Sequence, residues 1–281
     1  MDALLQNALV PQIKQWLEED DLTRNIFYMK SLPQHDVDLE LKIKSDLILS
    51  GTDYFIAVFI ALGVPASQFS KLSEFEGKKI SKGEVISLGK VPFAIALTAE
   101  RLALNLLAHG SSIATFTNLH VEKAREFGIE ILDTRKTTPG LRALEKYSVR
   151  VGGGSNHRFG QSDVWMIKDN HKTCLGGLQK TYDFFKNQKT FYNNLVVEIH
   201  SMDELKEAIN LGITHVMLDN FSPEDIKNAI AIKPANMTYE ASGGIRIDNI
   251  DQYLINGLDA ISMGALTNAA PRVDISLKFK S

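Results

Sequence analysis

The chain has 281 residues, 44% of them apolar and 23% charged, the proportions of an ordinary globular protein that can bury one large core or two modest ones. Disordered, collagen-like and coiled-coil classes are excluded on that ground. The formal net charge of −3 argues against a bulk nucleic-acid binder.

The N-terminal stretch Met1–Glu19 carries apolar residues at helical spacing (Leu4, Leu5, Ala8, Leu9, Ile13, Trp16, Leu17), with Pro11 expected to kink or divide the helix. It lacks a basic start followed by a long apolar run, so no signal peptide is expected. Glu18 to Asp21 reads as a solvated helix end. Asp38–Lys44 alternates apolar and polar residues, the pattern of a half-buried strand. The longest apolar stretch, Tyr54–Ala66, is too short for a bilayer and contains Pro65. With the single cysteine, Cys174, these features point to a cytoplasmic protein with no membrane partner. Glu84–Leu88 reads as a short strand. Leu97–His109 reads as a helix that Gly110 ends.

From about residue 128 short apolar runs alternate with helical segments. The runs are Ile129–Leu132, Val164–Ile167, Leu195–Val197, Val216–Leu218, Met237–Tyr239 and Ala260–Ile261. The helical candidates are Pro139–Tyr147, Met202–Leu211, Pro223–Ile232 and Ile247–Asn256. Such alternation implies parallel strands with right-handed crossovers, in an open doubly wound sheet or a barrel. Nearly every run ends in polar residues: Asp133–Lys136, Lys168–Asn170, Glu198, Asp219–Asn220, Glu240–Gly244 and Ser262–Gly264. In a barrel those ends share one mouth, whereas an open sheet strings them along an edge. The polar ends favour a barrel of six or seven strands, short of the usual eight.

Three sets of residues give that mouth its chemistry. Ser242-Gly243-Gly244 and Met263-Gly264-Ala265 follow the last two runs, where barrels often bind phosphate; two tight turns are the plainer reading. From Thr134 to Lys172 eight Lys and Arg stand against three acids, a local +5 that leaves −8 for the rest. Arg142, Lys146 and Arg150 read as solvated. Arg135, Lys136 and Lys168, with His157-Arg158 after Gly152-Gly153-Gly154, suit a multiply anionic ligand. Glu198 and Asp219 end consecutive runs and can hold Mg²⁺, sugar hydroxyls or developing positive charge. Charge balance for neighbouring lysines is the alternative. His35 and His120 read as surface residues, His200 and His215 as structural, and His109 and His171 as ambiguous. Cys174 reads as an unactivated thiol in a glycine-rich loop, and Trp16 and Trp165 as packing residues.

Taken in order, the runs Asp133-Thr134-Arg135-Lys136-Thr137-Thr138-Pro139-Gly140-Leu141-Arg142, Val151 to Arg158, Ile167-Lys168-Asp169-Asn170-His171, Glu198, Leu218-Asp219-Asn220, Ser242 to Ile245 and Gly264 to Thr267 resemble the quinolinate phosphoribosyltransferase family. Thr98-Ala99-Glu100-Arg101 through Asn105 also matches, and the first ninety residues match more loosely. The resemblance implies an α/β chain of two domains. Residues 1–110, with the tail 271–281 packed on them, form an N-terminal α/β sandwich. Residues 111–270 form an incomplete TIM-like (β/α) barrel. It implies conversion of quinolinate and phosphoribosyl pyrophosphate to nicotinate mononucleotide, pyrophosphate and CO₂ in de novo NAD synthesis, with Mg²⁺ as cofactor. It also implies a homodimer in which Arg101 reaches the neighbour's mouth.

By resemblance, Thr134, Arg135, His157, Arg158 and Lys168 bind substrate, and Lys136 lies near the reacting groups. Glu198 and Asp219 hold ribose hydroxyls, directly or through Mg²⁺. Ser242, Gly243, Gly244, Met263, Gly264, Ala265 and Asn268 receive the 5′-phosphate. Two departures stand out: Asn268 where many relatives have His, and His171-Lys172-Thr173-Cys174 where a more apolar continuation is common. The alternatives are a paralogue of molybdenum-transport operons, which usually lacks the lysine present here as Lys168, a phosphate-binding lyase or isomerase barrel, and a non-catalytic binding barrel.

Overall fold

The structure, a computed structural model, describes residues 3–20 and 26–280. These group into two compact units. One comprises the chain up to Phe116, Ala143–Gly152 and the segment from Ala270; the other comprises Thr117–Arg142 and Gly153–Ala269.

The first unit contains α1 (Ala3–Leu17), α2 (Ile26–Ser31), β1 (Asp36–Ile43), β2 (Leu47–Ile48), α3 (Thr52–Ala61), α4 (Ser70–Ser73), β3 (Lys79–Ile80), β4 (Val85–Pro92) and the start of α5 (Phe93–Ala124). The β1 alternation buries Val37, Leu39, Leu41 and Ile43 on one face, as period-two patterning demands. β4 and the C-terminal strand β11 (Ile275–Lys280) flank β1 antiparallel, and β2 pairs with β3. The long apolar stretch forms α3, whose Phe55 and Phe59 pack with Phe69.

Pro11 does not divide α1, which runs through it. A proline inside a helix costs about 3 kcal/mol, but Leu9, Ile13 and Leu17 are buried on one face of this helix, each worth roughly 1.5–3 kcal/mol. Nor does Gly110 end a helix. α5 continues to Ala124, and Gly110 sits where a Cβ would lie 2.7 Å from the Ser50 carbonyl oxygen. The glycine serves a close approach, not a stop signal. α6 (Arg142–Val151) belongs almost wholly to this unit. Its Glu145 and Lys146 are buried, which corrects the solvated reading of Lys146. Glu145 lies 2.8 Å from His109 Nε2. Arg150 is exposed.

The second unit is an incomplete parallel barrel. Its strands are β5 (Glu130–Leu132), β6 (Trp165–Ile167), β7 (Leu195–Ile199), β8 (His215–Asp219), β9 (Thr238–Ser242) and β10 (Ala260–Ser262), in the order β5-β10-β9-β8-β7-β6. A parallel bridge between Leu132 and Ser155 adds a short seventh rung beyond β5. Among the described residues no pairing joins that rung to β6, so the barrel stays open. α7 (Asp169–Leu175) and α8 (Leu178–Gln188) follow β6, α9 (Met202–Asn210) follows β7, α10 (Pro223–Ala231) follows β8, and α11 (Ala265–Asn268) follows β10. Ser201 and Ser222 cap α9 and α10 by accepting from the N–H groups of Glu204 and Asp225.

Three expectations fail here. Ile247–Asn256 is not an α-helix, and only the turn Ile250–Gln252 is helical, of 3₁₀ type. Cys174 lies on α7, exposed, not in a loop. His120 is fully buried, not at the surface. Among the described residues no helix is long and apolar enough to cross a membrane. Asp21 of the acidic stretch lies outside the described residues; Glu18–Asp20 form an exposed 3₁₀ turn.

Candidate active site

All six strands of the barrel lead at their C-terminal ends into one cavity of about 310 Å³. A flat six-stranded sheet would spread those ends over about 24 Å, at ~4.8 Å per strand, so the shared cavity is a consequence of curling. Its wall includes Thr134, Arg135 and Lys136 after β5, His157 and Arg158 after the Ser155 rung, and Lys168 after β6. The remaining strand ends give Glu198, Asp219, Ser242 and Ser262. Arg135, Arg158 and Lys168 also line an adjoining cavity of about 520 Å³ walled by Trp165, Phe184 and Phe185.

The cations are held from behind. Asp133, fully buried at the end of β5, accepts from Asn156 Nδ2 at 2.5 Å and from the His157 N–H at 2.9 Å. One buried carboxylate thereby ties the turn bearing His157 and Arg158 to the loop bearing Arg135 and Lys136. The Arg158 N–H donates to His157 Nδ1 at 2.6 Å, which leaves the ring hydrogen on Nε2, facing Glu240 at 3.4 Å. Arg158 Nη1 donates to the Val164 carbonyl at 3.0 Å. Arg142 donates to Thr137 Oγ1 and the Phe159 carbonyl, so it braces the neighbouring loops.

Lys136 is placed by its own N–H on Thr134 Oγ1 at 3.0 Å and by Thr267, whose hydroxyl donates to the Lys136 carbonyl at 2.8 Å. Gly264 is small for the same purpose: a Cβ there would lie 2.9 Å from Lys136 Cδ. Gly243, at φ 96°, makes room for Asn220, whose backbone nitrogen would be 2.7 Å from a Cβ. Asn220 itself adopts φ 58°, the left-handed region, and its side-chain amide donates to Asp219 at 2.8 Å.

Charge in the cavity is divided. Lys168 Nζ donates to Glu198 Oε2 at 2.7 Å. Burial and then the neighbouring Glu198 charge push the Asp219 carboxyl above its ordinary value, while His200, Lys168 and Lys136 oppose the shift. Burial and then the like charge of Arg135 pull Arg158 below the usual guanidinium value. Arg135 Nε and Ser262 Oγ are buried with no hydrogen-bond partner among the described residues. Unmet buried donors beside the desolvated Arg158 describe a site that suits an anion.

Of the expected phosphate residues, Ser242 lines the cavity; Gly243, Gly244, Met263, Gly264, Ala265 and Asn268 do not. Met263 is buried and Asn268 exposed. Arg101 is an exposed residue of α5, in the other unit, and is not among the lining residues. Lys172, counted with the cations of the basic segment, is buried and bonded to Glu204. Two contributors escaped the sequence reading. His200, read as structural, has Nε2 3.3 Å from Glu198 and 3.5 Å from Asp219. Asp133 behaves as a brace. The signal for His200 was present in Glu198-Ile199-His200, since residues two apart on a strand share a face.

The models of the quinolinate phosphoribosyl transferase N-terminal and C-terminal domains match residues 21–111 and 113–278. A probable nicotinate-nucleotide pyrophosphorylase [carboxylating] of Bacillus subtilis is 38% identical over 92% of this chain and 89% of its own length. The human nicotinate-nucleotide pyrophosphorylase [carboxylating] is 36% identical over 97% of this chain and 92% of its own. The solved nicotinate-nucleotide pyrophosphorylase of Francisella tularensis superposes with a TM-score of 0.87 at 33% identity, covering 98% of this chain and 97% of that one. With both domain models matched in order and relatives similar over nearly the full length, this chain belongs to the quinolinate phosphoribosyltransferase family.

Proposed function

We propose that the chain transfers the phosphoribosyl group of phosphoribosyl pyrophosphate to quinolinate. The products are nicotinate mononucleotide, pyrophosphate and CO₂, in a cytoplasmic step of de novo NAD synthesis. The observation that carries this reading is the convergence of Arg135, Lys136, His157, Arg158 and Lys168 with Glu198 and Asp219 on one cavity. A dicarboxylate and a polyphosphate need such cations, and a ribosyl centre gaining positive charge needs the carboxylates.

Arg135, His157, Arg158 and Lys168, with Thr134, bind the quinolinate carboxylates or nearby phosphate oxygens. Lys136 lies beside the reacting groups and the departing pyrophosphate. Glu198 and Asp219 hold the ribose hydroxyls and stabilise the oxocarbenium-like carbon as the C–O bond to pyrophosphate breaks. The ring nitrogen supplies the electron pair for the new C–N bond and becomes cationic. The adjacent carboxylate then leaves as CO₂, its electrons stabilised by that charge, and a proton takes its place. The 5′-phosphate rests at Ser242, Gly243, Gly244, Met263, Gly264, Ala265 and Asn268.

Two carboxylates beside a polyphosphate site fit Mg²⁺, a hard cation usually held by one or two carboxylates plus substrate phosphates. Glu198 and Asp219 would hold it, directly or through water. When bound, it neutralises pyrophosphate charge. We also infer a homodimer in which Arg101 of the partner subunit completes the quinolinate site.

The deciding assay is Mg²⁺- and quinolinate-dependent release of CO₂ and pyrophosphate from phosphoribosyl pyrophosphate. Turnover of nicotinate but not quinolinate would overturn the assignment. For the shared site, mixing Arg101→Ala with Lys136→Ala subunits is expected to restore part of the activity. No recovery despite demonstrated subunit exchange would refute it.

A further inference from the structure

Behind the carboxylate pair lies a buried cation for which the proposed reaction has no use. Lys172 is 7% exposed. Its Nζ is within 2.9 Å of both Glu204 oxygens, 3.0 Å of the Glu198 carbonyl oxygen and 3.2 Å of His200 Nδ1. An ammonium has three hydrogens and no lone pair to accept with. Three hydrogens meet three groups here, the Glu204 carboxylate, the Glu198 carbonyl and the His200 ring. The contact at His200 Nδ1 requires that nitrogen to be the acceptor. A hydrogen on Nδ1 would have Glu204 Oε2 as its alternative acceptor, but at 3.7 Å that is beyond hydrogen-bond reach.

The other ring nitrogen faces the carboxylate pair, and it must then carry the hydrogen. His200 Nε2 points at Glu198 Oε1, 3.3 Å away, and Asp219 Oδ2, 3.5 Å away. Glu198, His200 and Asp219 together have the composition and spacing of a three-ligand metal site. An imidazole nitrogen coordinates only through a free lone pair, however, and the tautomer is set by the bond the other nitrogen makes.

We propose that Lys172 is a positioning residue that locks His200 in the Nε2–H tautomer. The ring then donates toward the two carboxylates and is withheld from metals. A cation held by Glu198 and Asp219 would then meet oxygen ligands alone, which suits Mg²⁺ and disfavours Zn²⁺, for which imidazole is a good ligand. This rests on the reading of Glu198 and Asp219 as cation ligands for its metal preference. The tautomer itself is independent of any reaction.

The test uses the full-length protein labelled with ¹⁵N-histidine, with His200 assigned by loss of its signals in His200→Asn. In the unsubstituted protein, free of substrate and metal, His200 is expected to show a bare Nδ1 and a protonated Nε2. Zn²⁺ alone is expected to leave both signals in place at concentrations where Mg²⁺ binds. In Lys172→Met the tautomer is expected to shift or mix, and Zn²⁺ affinity read at the His200 signals to rise on the order of 10–100-fold, the range for altered outer partners of a ligand. A protonated Nδ1 in the unsubstituted protein overturns the proposal, whether or not Lys172→Met folds. So does direct Zn²⁺ coordination by His200 with Lys172 intact. Absence of transferase activity in the unsubstituted protein, with the tautomer as expected, would count against the proposed reaction alone.

Discussion

Gly264→Ala separates the two reasons for a glycine beside the proposed phosphate site. The backbone there has φ −63° and ψ −26°, which alanine adopts freely, so no conformational penalty is expected. The new Cβ would stand 2.9 Å from Lys136 Cδ and 3.6 Å from Asn268 Nδ2. The first contact is too short and the second ordinary, so Lys136 must withdraw by about half an ångström or more. A flexible lysine stem yields at little cost, and stability is expected to change by less than about 1 kcal/mol. Catalysis is less tolerant, because a misplacement of about 1 Å can cost about 100-fold. We expect kcat/KM for pyrophosphate release to fall 10–100-fold with a nearly unchanged Tm. In the Lys136→Ala background the same substitution should add no further loss, because its only target is gone. Additive losses, or full activity in Gly264→Ala alone, would refute the argument that the glycine exists to seat Lys136.

Gly110→Ala faces a target that cannot withdraw, the Ser50 carbonyl oxygen at 2.7 Å. It should cost about 1–3 kcal/mol of stability by overpacking, despite alanine's better helix propensity, as measured by denaturant unfolding. Asp133→Ala removes the acceptor for Asn156 and the His157 N–H. At roughly 1.5–3 kcal/mol for each bond to a charged group, the variant should be less stable by several kcal/mol and bind quinolinate more weakly in calorimetry. Asp53 has its carboxyl pushed up by burial, with Glu76 adding to the rise. The folded state therefore holds that proton more tightly than the unfolded chain. The cost of ionising it grows as pH rises from the ordinary carboxylate value through the raised one. Asp53→Asn should thus stabilise at neutral pH, with the gain disappearing in acid below the ordinary value; an equal gain at both extremes would contradict the assignment.

Much of the molecule is legible in one dimension because its causes are local. The alternation Val37-Leu39-Leu41-Ile43, the Ser-Pro start of α10 and the polar residues closing each apolar run are consequences of strand and helix period. A reader of those periods finds β1, the six barrel strands and their shared mouth. Asp169–Leu175 is harder to see, because α7 buries Lys172 where an apolar residue would announce a helix. Ile247–Asn256 erred the other way: its spacing suits a helix, but the chain takes a single 3₁₀ turn there.

Other features depend on contacts between residues far apart in sequence. Gly110 resembles a stop signal until Ser50 and Ser148 are seen against it. Lys146 and Lys172 count as basic surface until their burial is known. The local +5 of residues 134–172 therefore does not belong to one mouth. Arg135, Lys136, Arg158 and Lys168 line it, whereas Lys146 and Lys172 lie buried elsewhere. Periodicity and motif spacing are properties of neighbouring residues, so the order of residues alone dictates most of the elements, the family and the types of side chain at the mouth. Which cation meets substrate, which one braces a carboxylate and which nitrogen of His200 bears a hydrogen depend on distances across the barrel, and only packing sets those distances.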